Sequence, residues 1–142
     1  MSVRDVAEYI LRSRGEMTAM KLQKLVYYCQ AWSLVWDERP LFDEPIQAWA
    51  NGPVSPDLYD VHRGRFTLRS GQVGGDPSKL DKDAEDTIKA VLDVYGNKSA
   101  QWLSDLTHSE QPWAEARDGL DPGDRSSRLI SHAAMAEYYG SL

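Results

Sequence analysis

The segment from residue 18 to residue 36 carries apolar side chains on two sides of a predicted helix. One side is formed by Leu22, Leu25, Val26, Cys29 and Trp36. The opposite side is formed by Met20, Tyr27, Ala31 and Leu34. Such a helix either lies at the centre of a fold or buries one side against a partner. We predict a central helix capped by Thr18, with Leu22, Leu25, Val26 and Trp36 in the core, and the partner-covered side is the alternative.

Five further helices are predicted around the central one from capping residues and apolar stripes. The first begins after Ser2, with Asp5 in capping-box position, and Gly15 is its natural stop. Its apolar stripe consists of Val3, Val6, Ala7, Ile10 and Leu11. The other four are expected to begin after Ser55, Asp81 or Asp83, Ser99 and Ser131. Pro112 opens a short turn.

Two stretches of the chain lack a helical pattern. Residues 46–50 are read as a short strand or an extended segment, and Asn51, Gly52 and Pro53 follow as a tight turn. Residues 64–79 are glycine-rich and are predicted to form a variable loop, or a small hairpin through Phe66, Leu68 and Val73. The predicted fold class is mainly α: a compact single-domain helical bundle of about six helices, spanning 1–142, with a short extended or hairpin segment.

Charge and composition restrict the possible partners. The chain has 142 residues and a net charge of −6, and the whole acidic surplus lies in residues 71–142. An acidic chain argues against nucleic acid as a partner, because binding to phosphates needs clustered cations. No apolar run has the length of a membrane span, and the N-terminus lacks the pattern of a signal peptide, so we expect a cytoplasmic protein without a membrane partner.

The residues that most often carry chemistry form no convincing active site. His62, His108 and His132 share no spacing that would place metal ligands on one face, so we predict no metal site. Cys29 is the only cysteine, and it lies within an apolar stripe, where a thiol usually serves as a small buried hydrophobe. We therefore predict no catalytic residue and no cofactor.

Three blocks of the sequence together resemble the Panacea domain, a family that includes SocA-like antitoxins and phage-associated GepA-type proteins. The first block is residues 17–32, MTAMKLQKLVYYCQAW, and the second is residues 40–54, PLFDEPIQAWANGPV. The third is residues 103–108, LSDLTH, followed by Glu110, Pro112, Trp113, Ala116 and Arg117. The resemblance spans nearly the whole chain, and three blocks in the right order are far more specific than one short motif.

This resemblance implies an antitoxin of a type II-like toxin–antitoxin system, which neutralises a cognate toxin by direct protein–protein binding. The toxin is expected to be encoded next to it. The alternative within the family is a proteolytic adaptor that delivers the toxin to a cytosolic protease. A small enzyme and a DNA-binding regulator are the remaining hypotheses from other classes.

Six residues of the resembling blocks are candidates for a common partner-binding surface: Lys21, Lys24, Tyr27, Trp49, His108 and Trp113. Polar and aromatic residues of this kind also stabilise small cores, which is the alternative role for each. The acidic second half is a candidate for steering a basic toxin towards the chain, although charge of this size also serves solubility. The sequence specifies neither the stoichiometry nor the oligomeric state.

Overall fold

The computed structural model describes residues 1–142 as seven α-helices and five short strands. The helices are α1 (Val3–Arg14), α2 (Ala19–Trp36), α3 (Pro56–His62), α4 (Lys82–Tyr95), α5 (Ala100–Ser109), α6 (Gln111–Ala116) and α7 (His132–Gly140). The strands are β1 (Met17–Thr18), β2 (Ile46–Trp49), β3 (Gly52–Val54), β4 (Thr67–Leu68) and β5 (Leu129–Ile130). The mainly helical prediction is confirmed. The seventh helix is α6, where the sequence had indicated only a short turn at Pro112.

Six of the seven helices begin at the predicted capping residues, and the exception is α6. Ser2 and Asp5 form a complete capping box, in which each side chain accepts from the other residue's backbone N–H. Side chains of the other predicted caps accept from the first turns of α2, α3, α4, α5 and α7, and these residues are Thr18, Ser55, Asp81, Ser99 and Ser131. No helix has both the length and the hydropathy needed to cross a membrane.

Helix α2 is the centre of the fold, as its two apolar sides predict. It packs against α1, α4, α5, α7 and β3, and 31 buried hydrophobic residues form one cluster around it. Leu22, Leu25 and Val26 are completely buried. The prediction for Trp36 is wrong, because its side chain is 48% exposed. Trp36 is the last residue of α2, and its ring stacks on Trp32 with a centroid distance of 5.0 Å instead of entering the cluster.

Residues 46–54 form an antiparallel hairpin within a three-stranded sheet of order β3-β2-β5. Ala48 faces Pro53 and Trp49 faces Gly52, so the chain reverses at residues 50–51. The tight turn therefore lies one to two residues earlier than predicted. Gly52 and Pro53 already belong to the second strand, which is an edge strand and therefore tolerates a proline.

Residues 64–79 do not form the small hairpin that was one of the two predictions. Strand β4 pairs instead with β1, with Leu68 opposite Met17, and Phe66 is 81% exposed. The apolar alternation is local, and it contains no information about a partner strand fifty residues earlier. The loop is fastened to α1 by two buried carboxylates, since Glu8 accepts from the backbone of Gly71 at 3.0 Å and Asp5 accepts from that of Asp76 at 2.8 Å.

Candidate functional site

The candidate site is built on the β2–β3 hairpin, which three side chains hold from the side of α5 and α6. The hydroxyl of Ser104 donates to the carbonyl of Asn51 at 3.0 Å. The indole N–H of Trp113 donates to the carbonyl of Trp49 at 2.8 Å. Arg117 donates to the carbonyl of Ala48 at 3.0 Å. Three of the five carbonyls from Ala48 to Gly52 are thus bound to side chains of the third sequence block, which fixes the hairpin in one orientation.

Arg117 also organises the loop that follows α6. Its guanidinium is buried and has no acidic partner. The second terminal nitrogen donates to the backbone carbonyls of Asp121 at 3.1 Å and Asp124 at 2.8 Å. This arrangement brings Arg125 and Ser127 of the same loop to the hairpin, where they line a cavity of about 670 Å³.

Helix α2 holds the hairpin from the opposite side through Gln23. The side-chain amide of Gln23 accepts from the N–H of Ser55 at 2.9 Å and donates to the carbonyl of Ser55 at 3.2 Å. The N–H of Ser55 fixes which end of the amide is the oxygen, so the Gln23 nitrogen must donate to Nε2 of His62, 3.0 Å away. Nε2 of His62 therefore carries no proton and accepts this hydrogen bond. Burial also lowers the pKa of His62, which favours the neutral ring.

Lys24 is a residue of α2 whose side chain packs against the hairpin and is only 1% exposed. Its end rests against Gly52, where an added Cβ would lie 2.5 Å from Cε and 3.1 Å from Nζ of the lysine. Gly52 has a φ of +126°, a conformation that other residues adopt only with strain. None of the four ion pairs in the structure involves Lys24. Because burial disfavours the charged form, the pKa of Lys24 is lowered from 10.5 to about 8.

Two adjoining cavities open beside the hairpin. The smaller has a volume of about 300 Å³ and is lined by Lys24, Gln23, His62 and residues of the hairpin. It shares Trp49, Asn51 and Tyr59 with the larger cavity of about 670 Å³. The rings of Trp49 and Tyr59 meet edge to face, with centroids 5.0 Å apart, and both are half-buried. The two rings therefore line both the smaller cavity, which contains the buried Lys24, and the larger cavity.

Four of the six residues predicted for the site lie around this hairpin. Trp49 is part of it, and Lys24 lies beneath it. The ring of His108 stacks on that of Trp113, with centroids 4.0 Å apart and planes 8° apart, and Trp113 is bonded to the hairpin. Burial lowers the pKa of His108, and the neighbouring Lys24 ammonium lowers it further.

The structure places Lys21 and Tyr27 elsewhere. Lys21 is half-buried near Arg14, whose charge adds to the effect of burial in lowering the pKa of Lys21. Tyr27 is buried in the core, where its hydroxyl lies 3.0 Å from that of Tyr139. Tyr139 and Tyr28 in turn donate to one oxygen of the buried Glu110 at 2.8 and 2.7 Å. Burial raises the pKa of Glu110, although the two hydroxyl donors oppose this effect.

The residues considered for chemistry at the outset are dispersed. Cys29 is completely buried, and burial raises the pKa of its thiol. His62 contacts Gln23, His108 contacts Trp113, and His132 lies 3.5 Å from Gln30. No group of three histidine, cysteine or acidic residues is arranged to hold a metal ion.

Sequence reasoning missed Gln23, Arg117 and Glu110 as organisers of the site and of the core beside it. Gln23 lies among the apolar residues of α2, and a polar residue within such a helix is itself a signal that backbone from elsewhere is bound there. Gln30, seven residues later, binds the backbone of Leu41 and Phe42 in the same way. Arg117 and Glu110 belong to the third resembling block, but nothing in the sequence predicted their burial, because arginine and glutamate are normally exposed.

A family model described as "Antitoxin SocA-like, Panacea domain" matches residues 22–114, about two thirds of the chain. The chain therefore belongs to the SocA-like antitoxin family that carries the Panacea domain, and the resemblance is confirmed over residues 22–114. The matched residues run from α2 through the hairpin to α6, so they include most of the site described above. No curated protein and no solved structure matches the chain.

Proposed function

We propose that this chain is the antitoxin of a type II-like toxin–antitoxin pair and neutralises its cognate toxin by direct binding. The toxin is the product of the neighbouring open reading frame, and the pair acts in the cytoplasm. The contact surface is the hairpin with its flanking aromatic rings, formed by Trp49, His108 and Trp113, with Lys24 beneath it. Family membership supports the antitoxin role, and the geometry of the hairpin supports the location of the contact.

The observation that carries the location is the rigidity of the aromatic surface. Trp49 is held through its own carbonyl, through its indole N–H to Gln47 at 2.9 Å, and through its edge-to-face contact with Tyr59. Trp113 is fixed between His108 and the hairpin. Tryptophan is enriched among residues that dominate binding energy, and rings fixed before association lose little conformational entropy when a partner binds.

Co-expression tests this function directly. Expression of the neighbouring protein alone should arrest growth, and co-expression of this chain should restore it. Trp49→Ala should weaken the complex by about 2 kcal/mol or more, which is about 30-fold in Kd. Trp102→Ala is the matched control, because Trp102 is 44% exposed on α5, where Lys98 lies over its ring, and its ring packs on none of Trp49, His108 and Trp113. Circular dichroism of both variants checks that the fold is retained.

Two results would contradict the proposal. Continued growth arrest in cells that contain ample folded antitoxin would exclude neutralisation of that toxin. Equal affinities of the Trp49 and Trp102 variants would exclude the hairpin as the contact surface. The adaptor alternative is separated by repeating the rescue in a host without its cytosolic proteases. A direct blocker still rescues growth there, whereas an adaptor does not.

A further inference from the structure

Lys24 differs from the other buried charged side chains of this protein, because each of the others has partners within the chain. Glu8 is paired with Arg12 and with the backbone of Gly71. Glu110 accepts from two tyrosine hydroxyls, and Arg117 donates to backbone carbonyls. Lys24 forms no ion pair, although it is 1% exposed. A buried charge without a counter-ion is costly, so its presence calls for a compensating group from outside.

The surroundings of Lys24 are built to keep this position open. Gly52 has no side chain and so leaves the space that the end of the lysine occupies, and its positive φ disfavours any other residue at this position. The cavity of about 300 Å³ at this point has the neutral amides of Gln23 and Asn51 in its wall and no acidic residue. Met20, which is 40% exposed, contributes apolar surface to the same lining. A single anionic group entering there would meet one cation that faces the cavity and is otherwise covered by protein.

We propose that the cavity at Lys24 receives the carboxylate of an acidic side chain of the toxin. One carboxylate matches one ammonium in charge, whereas a phosphate dianion would retain an uncompensated charge beside neutral amides. An aspartate or glutamate side chain is small enough for this cavity. The cavity shares Trp49 with the proposed contact surface, so a toxin bound there is in position to deliver the group. This step rests on the proposed function for the source of the carboxylate.

The first arm of the test needs no toxin. Acetate is titrated into the isotopically labelled protein while the Cε and Nζ resonances of Lys24 are followed by NMR. Acetate should shift these resonances in a saturable manner and raise the pKa of Lys24 above about 8, because a bound anion favours the ammonium form. Acetamide, the neutral analogue, should not. Equal effects of acetate and acetamide would overturn the carboxylate site.

The second arm measures binding of the neighbouring reading frame's product to the full chain. Lys24→Met keeps most of the length of the unbranched side chain and removes the charge, and it should raise Kd by about 30-fold or more. Lys89→Met, on the exposed side of α4, is the matched control and should bind as the wild type does. The toxin's acidic residues are then replaced one at a time by their amides. One of these toxin variants should bind the wild-type antitoxin much more weakly than the unchanged toxin does. The same variant should bind Lys24→Met less than about twofold more weakly, because the interaction it removes is already absent there.

The two arms separate the two proposals. If the wild type does not bind the toxin at all, the proposed function fails, while the acetate titration still decides whether a carboxylate binds at Lys24. If the toxin binds the wild type and Lys24→Met equally well, the proposed function stands and delivery of the carboxylate by the toxin is overturned. A saturable acetate response together with equal toxin affinities would assign the cavity to a free carboxylic acid instead.

Discussion

Replacing Lys24 by methionine should make the free protein more stable. Burial lowers the pKa of Lys24 from 10.5 to about 8. At 1.36 kcal/mol per unit, keeping the ammonium charged in the folded protein costs about 3 kcal/mol at pH 7. Methionine fills nearly the same volume without a charge, so Lys24→Met should raise the free energy of unfolding by up to about 3 kcal/mol.

The gain should depend on pH in a defined direction. Between pH 8 and 10.5 the folded protein binds fewer protons at Lys24 than the unfolded chain does, so the stability of the wild type rises with pH across this window. The advantage of Lys24→Met is therefore fully present below pH 8 and shrinks above it, to about 1 kcal/mol at pH 9.5. Comparing variant with wild type also cancels the buried tyrosines, whose raised pKa values act above pH 10.

Urea unfolding followed by tryptophan fluorescence measures these differences at pH 7, 8 and 9.5. The m-value should be the same for both proteins, so that a change in the midpoint reports stability alone. Lys89→Met should stay within about 0.5 kcal/mol of the wild type at every pH. A Lys24→Met protein that is no more stable than the wild type at pH 7, or whose advantage does not change with pH, would refute the reasoning. Stabilisation combined with weaker toxin binding would instead mark Lys24 as a charge retained for function.

Three further predictions concern the hairpin, the core and the surface charge. Gly52→Ala should lower the free energy of unfolding by about 2 kcal/mol or more, because the new Cβ is strained and clashes with Lys24. Gly15→Ala is the control and should cost less, because Gly15 also has a positive φ, +82°, but has open space around it. The urea midpoints of the two variants decide this. Because burial raises the pKa of Glu110, the wild type loses stability as the pH rises from about 4.5. Glutamine does not titrate, so the stability of Glu110→Gln relative to the wild type should increase from pH 4 to 7 in the same assay. A difference in stability that stays flat or falls over this range contradicts the prediction. Amide replacement of six exposed acids in residues 71–142 should slow toxin association about tenfold at low salt, and stopped-flow rates that stay unchanged would leave this charge a solubility feature. These six are Asp83, Asp93, Asp105, Glu115, Asp118 and Glu137.

Most of the helical framework could be predicted from the sequence, because it is determined locally. The capping oxygen of Ser99 and the N–H it binds are three residues apart, and the stripe of α1 repeats within twelve residues. Rules of this range identified the starts of six helices and the burial of Val6 and Ile10. They also identified the extended segment at residues 46–50, which became strand β2.

The errors arise where distant parts of the chain determine the outcome. Helical periodicity indicates which side of α2 is apolar, but it does not indicate that the core ends before Trp36. The pairing of β4 with β1 depends on two segments that no local pattern connects. Among the candidate site residues, the types of Trp49 and Trp113 suggested a role, but their meeting depends on a hydrogen bond between residues 64 positions apart.

The burial of Lys24 is the strongest case of this limit and also the most informative. On a helical wheel the residue is one more lysine, and lysines are normally exposed. Its burial results from Gly52, whose lack of a side chain leaves room on the neighbouring strand. Gln23, Glu110 and Arg117 are also buried polar groups, but their partners within the chain explain them as parts of the fold. Lys24 has no such partner. Stability alone would favour an apolar residue at this position, so the charge is best explained by a group that the folded chain does not itself supply.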